Sequence, residues 1–148
     1  SEVMTRHARQ HAAEAQVDER IRFLTGAVQQ QAFSQPFQLV FFHAVLEWSA
    51  NPRETLTQVL STVAPGGFLS LMFYNRWSLE FNLLRQGDFA PVLANNLGLN
   101  AFKLTPGSPL SPTDVIQWVE TELFRVVGCS GQALRGRRTC APRCKRPA

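Results

Sequence analysis

The chain has 148 residues, 45% hydrophobic and 18% charged, which fits a soluble globular protein with one real core and excludes a disordered or fibrous chain. No apolar run approaches the roughly 20 residues of a membrane helix, and the opening SEVMTRHARQHAAEAQ carries charges where a signal peptide needs an apolar stretch, so a cytoplasmic protein without membrane contact is expected. The net charge of +4 is unevenly held: residues 1–128 contain nine Lys/Arg and eleven Asp/Glu, a balance of −2, whereas 129–148 contain six Lys/Arg, no acid and all three cysteines.

In chain order, residues 2–16 read as a helix with Ser1 as a candidate N-cap, and IRFLTGA (21–27) as a short strand ending at Gly26. FQLVFFHAV (37–45) is a continuous apolar run, the pattern of a strand buried on both faces of a parallel sheet. Pro52 suits the first position of a helix, capped by Asn51 or Ser49. Within PRETLTQVLSTVA, residues Leu56, Val59, Leu60 and Val63 fall at helical spacing on one stripe. PGG (65–67) ends that helix and FLSLMFYN (68–75) starts the next apolar strand, completing a βαβ unit with an expected right-handed crossover. RWSLEFNLLRQGDF (76–89) reads as an amphipathic helix, and LANNLGLNAFKLTPGSPLSP (93–112) as a Gly/Pro/Asn-rich excursion placed to cover a pocket. SPTDVIQWVETELFRVVG (111–128) then gives cap, helix and strand.

The last segment, CSGQALRGRRTCAPRCKRPA (129–148), is compositionally foreign to the rest. Its little apolar content predicts a basic tail that is disordered or out of frame, beside a partial domain over 1–128. Cys129, Cys140 and Cys144, with ten and then three residues between them, match no strong zinc pattern, and no metal is expected.

In open parallel α/β sheets, ligands sit outside the carboxyl ends of the strands. The strand ends here carry Gln29, Gln30, His43, Glu47, Trp48, Tyr74 and Asn75, polar and aromatic side chains suited to a flat polar ligand. Each also has a plain structural reading. His43 is then a satisfied loop histidine, Leu46 and Trp48 anchor the next helix, Tyr74 and Trp77 line a core edge, Gln29 and Gln30 are surface residues, and Glu47 is a helix-start carboxylate near a favourable dipole. Spacing alone assigns no catalytic residue.

FFHAVLEWSANPRETLTQVLSTVAPGGFLSLMFYN resembles the fourth-to-fifth-strand block of class I S-adenosylmethionine-dependent methyltransferases, and within them the bacterial group that methylates 5-carboxymethoxyuridine in tRNA. The PGG before a strand is weakly specific; FHAVLEW joined to LSLMFYN is much more so. The resemblance covers roughly residues 1–131 and stops. It implies an α/β, Rossmann-like fold with a partial parallel sheet, S-adenosyl-L-methionine as cofactor and a tRNA wobble uridine as partner. It also implies that His43 contacts the cofactor, that Ala27, Val28 and Gln29 border its adenine, and that Tyr74, Asn75 and Trp48 help place the substrate.

The departures from that family are equally informative. The sequence contains no G-x-G for the family's glycine loop, and the acidic residue that binds the ribose would precede Ser1. In the family's strand order 3-2-1-4-5-7-6, the first two strands are missing and the seventh falls where the foreign-looking segment begins. An incomplete methyltransferase, weak or inactive alone and open to a complementing chain or oligomerisation, is therefore expected. Two other readings are a class I methyltransferase acting on a small molecule and a non-catalytic module holding nucleic acid through its basic tail.

Overall fold

The computed structural model describes residues 1–97, 109–134 and 137–147, with 130–143 described through their backbone. Contacts divide the chain into two compact units, Ser1–Ala32 and Phe33–Ala148.

The first unit holds helix α1 (Glu2–Glu14) and single helical turns at Asp18–Arg20 and Val28–Gln30. Ser1 occupies the N-cap without a side-chain bond. Thr5 Oγ1 donates to the Ser1 carbonyl at 3.3 Å and lies 2.8 Å from Thr25 Oγ1. The Arg9 guanidinium stands 5.9 Å from the centre of the Phe23 ring. The strand expected over 21–27 does not form: this stretch is irregular, and Ile21 and Leu24 are exposed. A strand is stable only with a ladder partner, and none pairs with this segment among the described residues.

The second unit is built on strands β1 (Phe37–His43), β2 (Val63–Tyr74), β3 (Arg125–Leu134) and β4 (Arg137–Lys145), with helices α2 (Pro52–Ser61), α3 (Arg76–Arg85), α4 (Ala90–Leu93) and α5 (Pro112–Thr121). The sheet order is β1-β2-β4-β3. β1 and β2 are parallel, joined through α2 as the expected βαβ unit, while β4 runs antiparallel to both β2 and β3. This reproduces the 4-5-7-6 portion of the class I order.

Sequence chemistry accounts for α2. Asn51 Oδ1 accepts from the Glu54 amide at 3.3 Å and its Nδ2 donates to Glu54 Oε2 at 2.9 Å, a reciprocal cap, while Pro52 takes the first turn, where a missing N–H costs nothing. Leu56, Val59 and Leu60 are buried on one stripe, together with Leu69, Leu71 and Phe73 of β2 and Val115 and Val119 of α5. Each such side chain contributes about 1.5–3 kcal/mol on burial.

Val63 and Ala64, expected at the end of the helix with Val63 on its stripe, and residues 65–67, expected as its stop, belong to the strand instead, with a register irregularity between Phe37 and Leu39. Gly67 makes this possible: a Cβ there would stand 2.9 Å from the Ala64 carbonyl oxygen, 3.0 Å from that of Gln38 and 3.1 Å from that of Phe37. The helix expected over 76–89 ends at Arg85, followed by Gly87 at φ 78°, and resumes as α4. Of the 93–112 excursion, residues 98–108 lie outside the described residues.

Two segments depart from the pattern expected of their composition. The backbone of the basic segment runs as the end of β3 and the whole of β4. Ladder bonds join main-chain groups, so a strand with few apolar side chains can still satisfy the edge of β2. Its last residues add side-chain contacts: Lys145 Nζ stands 5.4 Å from the centre of the Phe68 ring, and Arg146 donates from its amide to the Gly67 carbonyl at 3.1 Å and from Nη1 to the Val63 carbonyl. Cys144 is buried there, and its thiol is pushed up to about 12 by burial, then by the charges of Cys129 and Glu120.

β1 also departs from its expected burial on both faces. Phe42 is buried, but Phe37, Leu39 and Phe41 are 42%, 52% and 66% exposed. Among the described strands β1 is at the edge, and the buried Leu69, Leu71 and Phe73 of β2 lie on the face opposite to Leu39 and Phe41.

Candidate ligand site at the carboxyl ends of the parallel strands

β1 ends at His43, and the chain turns sharply away. Ala44 has φ 55°, the left-handed region that costs a non-glycine residue on the order of 1 kcal/mol, and its amide donates to the Met72 carbonyl at 2.8 Å. A single helical turn, Leu46–Trp48, follows. Leu46 is fully buried and anchors the turn, whereas Trp48 leaves 52% of its surface in solvent, so only Leu46 of this pair serves as the expected core anchor.

His43 is exposed and held from two sides. Its Nε2 lies 2.9 Å from Ser70 Oγ on β2, and its ring meets Phe41 edge-on with centroids 5.6 Å apart. Phe41 and His43 are two apart on β1 and share a face, and the register sets them against Ser70 and Met72. Tyr74, two residues beyond Met72, is half-buried on that same face. The structure thus brings His43 and Tyr74 to neighbouring positions at the strand ends, with Trp48 on the adjoining turn. Asn75 has a different duty: its Oδ1 accepts from the Trp77 amide at 2.9 Å and caps α3. Ala27 is exposed, Val28 half-buried and Gln29 exposed, within and beside the Val28–Gln30 turn of the first unit.

Glu47 stands in the first turn of Leu46–Trp48, the helix-start place its position predicted, but it is buried there. It is 1% exposed, and neither carboxylate oxygen has a hydrogen-bond partner. Burial raises its pKa above the ordinary value of 4.5, against a smaller opposing pull from the peptide groups of Glu47 and Tyr74. A buried acid whose oxygens have no hydrogen-bond partner marks this turn as a place where a polar group is held against its solvation preference.

Beyond the end of β2, a shallow cleft of about 180 Å³ is lined by Arg76, Asn95, Asn96, Leu97 and Pro109. Arg76 is engaged there, through Nε with Glu80 Oε1 at 2.7 Å and through Nη2 with Asn95 Oδ1. Asn95, Asn96, Leu97 and Pro109 belong to the 93–112 excursion that was expected to cover a pocket, whereas sequence reasoning missed the His43 partner Ser70. The single hydroxyl inside the apolar run FLSLMFY was the signal for that serine. Among the described residues no group of three His, Cys, Asp or Glu is placed to hold a metal ion, and no helix is long and apolar enough to cross a membrane.

Comparison with known proteins agrees with the strand order. Residues 1–71 match a family described as a methyltransferase domain. Over 130 residues the chain is 37% identical to the tRNA 5-carboxymethoxyuridine methyltransferase of Escherichia coli O157:H7 and 36% identical to that of strain K12, covering 86% of this chain and 50% of each relative. The chain thus spans about half the length of the curated relatives it matches. Among solved structures, a S-adenosylmethionine-dependent methyltransferase from Clostridium acetobutylicum ATCC 824 superposes with a TM-score of 0.72 at 8% identity, covering 100% of this chain and 73% of that one. The magnesium protoporphyrin IX methyltransferase of Synechocystis PCC 6803 with bound SAM superposes with a TM-score of 0.70 at 14% identity, covering 99% of this chain and 56% of that one. At such identities these two likenesses speak for the fold alone.

Proposed function

From a chain that carries methyltransferase-domain sequence over residues 1–71 and the fold of S-adenosylmethionine-dependent methyltransferases, we propose that it forms part of an enzyme that methylates the carboxylate of 5-carboxymethoxyuridine at the tRNA wobble position. The observation that carries this reading is the 37% identity over 130 residues to a protein of that name. By itself the chain is weak or inactive, because its sequence has no glycine loop to approach the methionine end of the cofactor.

The residues present fit part of S-adenosyl-L-methionine. His43 offers an exposed imidazole at the carboxyl end of β1, where α/β folds place ligands, and it is braced by Ser70 and Phe41 rather than free to rotate. Bound there, the cofactor supplies an electrophilic methyl group on a sulfonium. His43 would hold it. Tyr74, Asn75 and Trp48 would place the substrate, Asn75 chiefly through the start of α3 that it caps.

The acceptor carboxylate needs no strong base, since it is already ionised near neutral pH. The chain's residues therefore act by orienting two groups and excluding water between them, and effective molarity supplies most of the acceleration. This division of labour agrees with a strand-end site that has an exposed histidine and indole but no assigned nucleophile.

The test uses radiolabelled methyl donor and tRNA carrying unesterified 5-carboxymethoxyuridine. The chain mixed with the portion of the E. coli relative that it does not match should transfer label to the wobble nucleotide, and His43→Ala should reduce transfer. Label transferred instead to a small-molecule acid would reassign the substrate, and no transfer to either would reject the reading.

A further inference from the structure

We infer that the cleft beyond the end of β2 is an oxyanion site with Arg76 as its cationic anchor, taking the carboxylate of the acceptor nucleotide or an RNA phosphate beside it. The identity of that ligand rests on the proposed function, whereas the preference of the cleft for an anion stands on its own residues.

Three places in the second unit build the cleft. Asn75 follows β2 and caps α3, so Arg76 becomes the first residue of that helix. The Arg76 amide donates to the Leu110 carbonyl at 2.9 Å and the Leu110 amide donates to the Tyr74 carbonyl at 3.0 Å, which ties Pro109, the residue before Leu110, to the end of β2. Asn95 follows α4 at φ 54°, a left-handed position that asparagine tolerates better than most side chains. The Asn95 and Asn96 amides donate back to the Val92 and Pro91 carbonyls at 3.1 and 2.8 Å, which fixes this wall to α4.

Hydrogen-bond bookkeeping then gives the cleft its sign. A guanidinium carries five N–H groups and no acceptor. Arg76 Nε donates to Glu80 Oε1 at 2.7 Å and Nη2 donates to Asn95 Oδ1, while Nη1 takes no partner among the described residues. Accepting from Arg76 also fixes the Asn95 carboxamide, whose Nδ2 adds two further donors. Glu80 is not among the residues that line the cleft, and those that do include no acid. Two partners thus hold the guanidinium while N–H groups remain for a charge-assisted bond, the arrangement of a preorganised anion contact.

Size decides what part of a ligand enters. At about 180 Å³ the cleft is smaller than the roughly 300–1,000 Å³ of pockets that enclose a drug-sized molecule. It has room for a charged group on a short arm and not for a whole nucleotide. A carboxylate that becomes a methyl ester loses the charge Arg76 recognises, so the cleft holds the acid and releases the ester.

Heteronuclear NMR of the isotope-labelled chain, titrated with 5-carboxymethoxyuridine, its methyl ester and uridine monophosphate, tests this at the Arg76 Nε and Asn95 Nδ2 resonances. The free acid should shift them saturably and bind at least about tenfold tighter than the ester, the worth of one charge-assisted bond. Arg76→Gln should abolish that preference, read at Asn95 with the β2 backbone resonances unchanged, and Arg76→Lys should restore part of it. Tighter binding of the free acid than of uridine monophosphate assigns the carboxylate as the ligand, and the reverse order assigns a phosphate. No saturable shift with any of the three, or an anion preference that survives in Arg76→Gln, would overturn the proposal. In the label-transfer mixture, Arg76→Gln should raise the KM for tRNA about tenfold and change kcat less. An active mixture with an unchanged KM would reject the oxyanion site and keep the methylation reading, whereas an inactive wild-type mixture would reject that reading and leave the titration to decide the site.

Discussion

Replacing Glu47 by methionine should stabilise the chain, and the gain should grow with pH. The Glu47 side chain is 1% exposed and neither oxygen has a hydrogen-bond partner, so the folded state carries an unsatisfied polar group worth about 1–3 kcal/mol. Methionine has similar length and volume and removes that penalty without opening a cavity. The pH dependence follows from the raised pKa of this carboxyl. Between the ordinary value of 4.5 and its raised folded value, the folded chain binds more protons than the unfolded one, so wild-type stability falls across that window as pH rises and levels off above it. The methionine variant lacks this loss. Urea unfolding followed by tryptophan fluorescence at pH 4 and pH 8 measures the difference, with a slope of about 2 kcal/mol per molar turning 2 kcal/mol into a midpoint shift of about 1 M. A variant less stable than wild type at both pH values, or a difference that does not change with pH, would mean that Glu47 has a partner in the folded chain and would refute the reasoning.

Gly67→Ala should cost about 2 kcal/mol or more, because three main-chain oxygens of β1 and β2 occupy the space its methyl group needs, and the same urea titration would show it. Leu71→Ala, at a fully buried position on β2, should cost about 2–5 kcal/mol with a midpoint shift in the same assay. At Ala44 the left-handed φ makes glycine the better residue, so Ala44→Gly should be neutral or stabilising by up to about 1 kcal/mol, whereas Ala44→Val should destabilise by at least about 1 kcal/mol. Iodoacetamide at pH 8 should label the exposed Cys129 in the folded chain and leave Cys144 unmodified until denaturant is added, since burial both shields that thiol and pushes its pKa to about 12; mass mapping of the peptides would read this.

What the sequence made legible was whatever has local cause. Asn51 and Pro52 announced the start of α2, the 56-59-60 stripe announced its buried face, and the apolar run before His43 announced a parallel strand whose end lies at the candidate site. The misreadings came from properties that belong to neighbours. An apolar run says that a strand is fit for burial, but only the number of flanking strands and helices decides whether Leu39 and Phe41 are covered. IRFLTGA has strand composition and no ladder partner among the described residues, so it stays irregular. The basic segment has little to pack, yet the open edge of β2 offered main-chain groups that composition does not report. At the site, His43 and Trp48 stood out in the sequence, whereas the orphaned burial of Glu47 depends on the tight turn through Ala44 and could not be seen from an acid placed before a helix.

The central claim is that these 148 residues hold one part of a cofactor site and need further polypeptide to complete it. Calorimetric titration of S-adenosylhomocysteine into the purified chain, alone and mixed with the unmatched portion of the E. coli relative, tests it most directly. The account predicts no micromolar binding by the chain alone, and binding by the mixture that His43→Ala weakens at least about tenfold, a loss of 1.4 kcal/mol. Micromolar binding by the chain alone, or a mixture that binds no better than its parts, would contradict it.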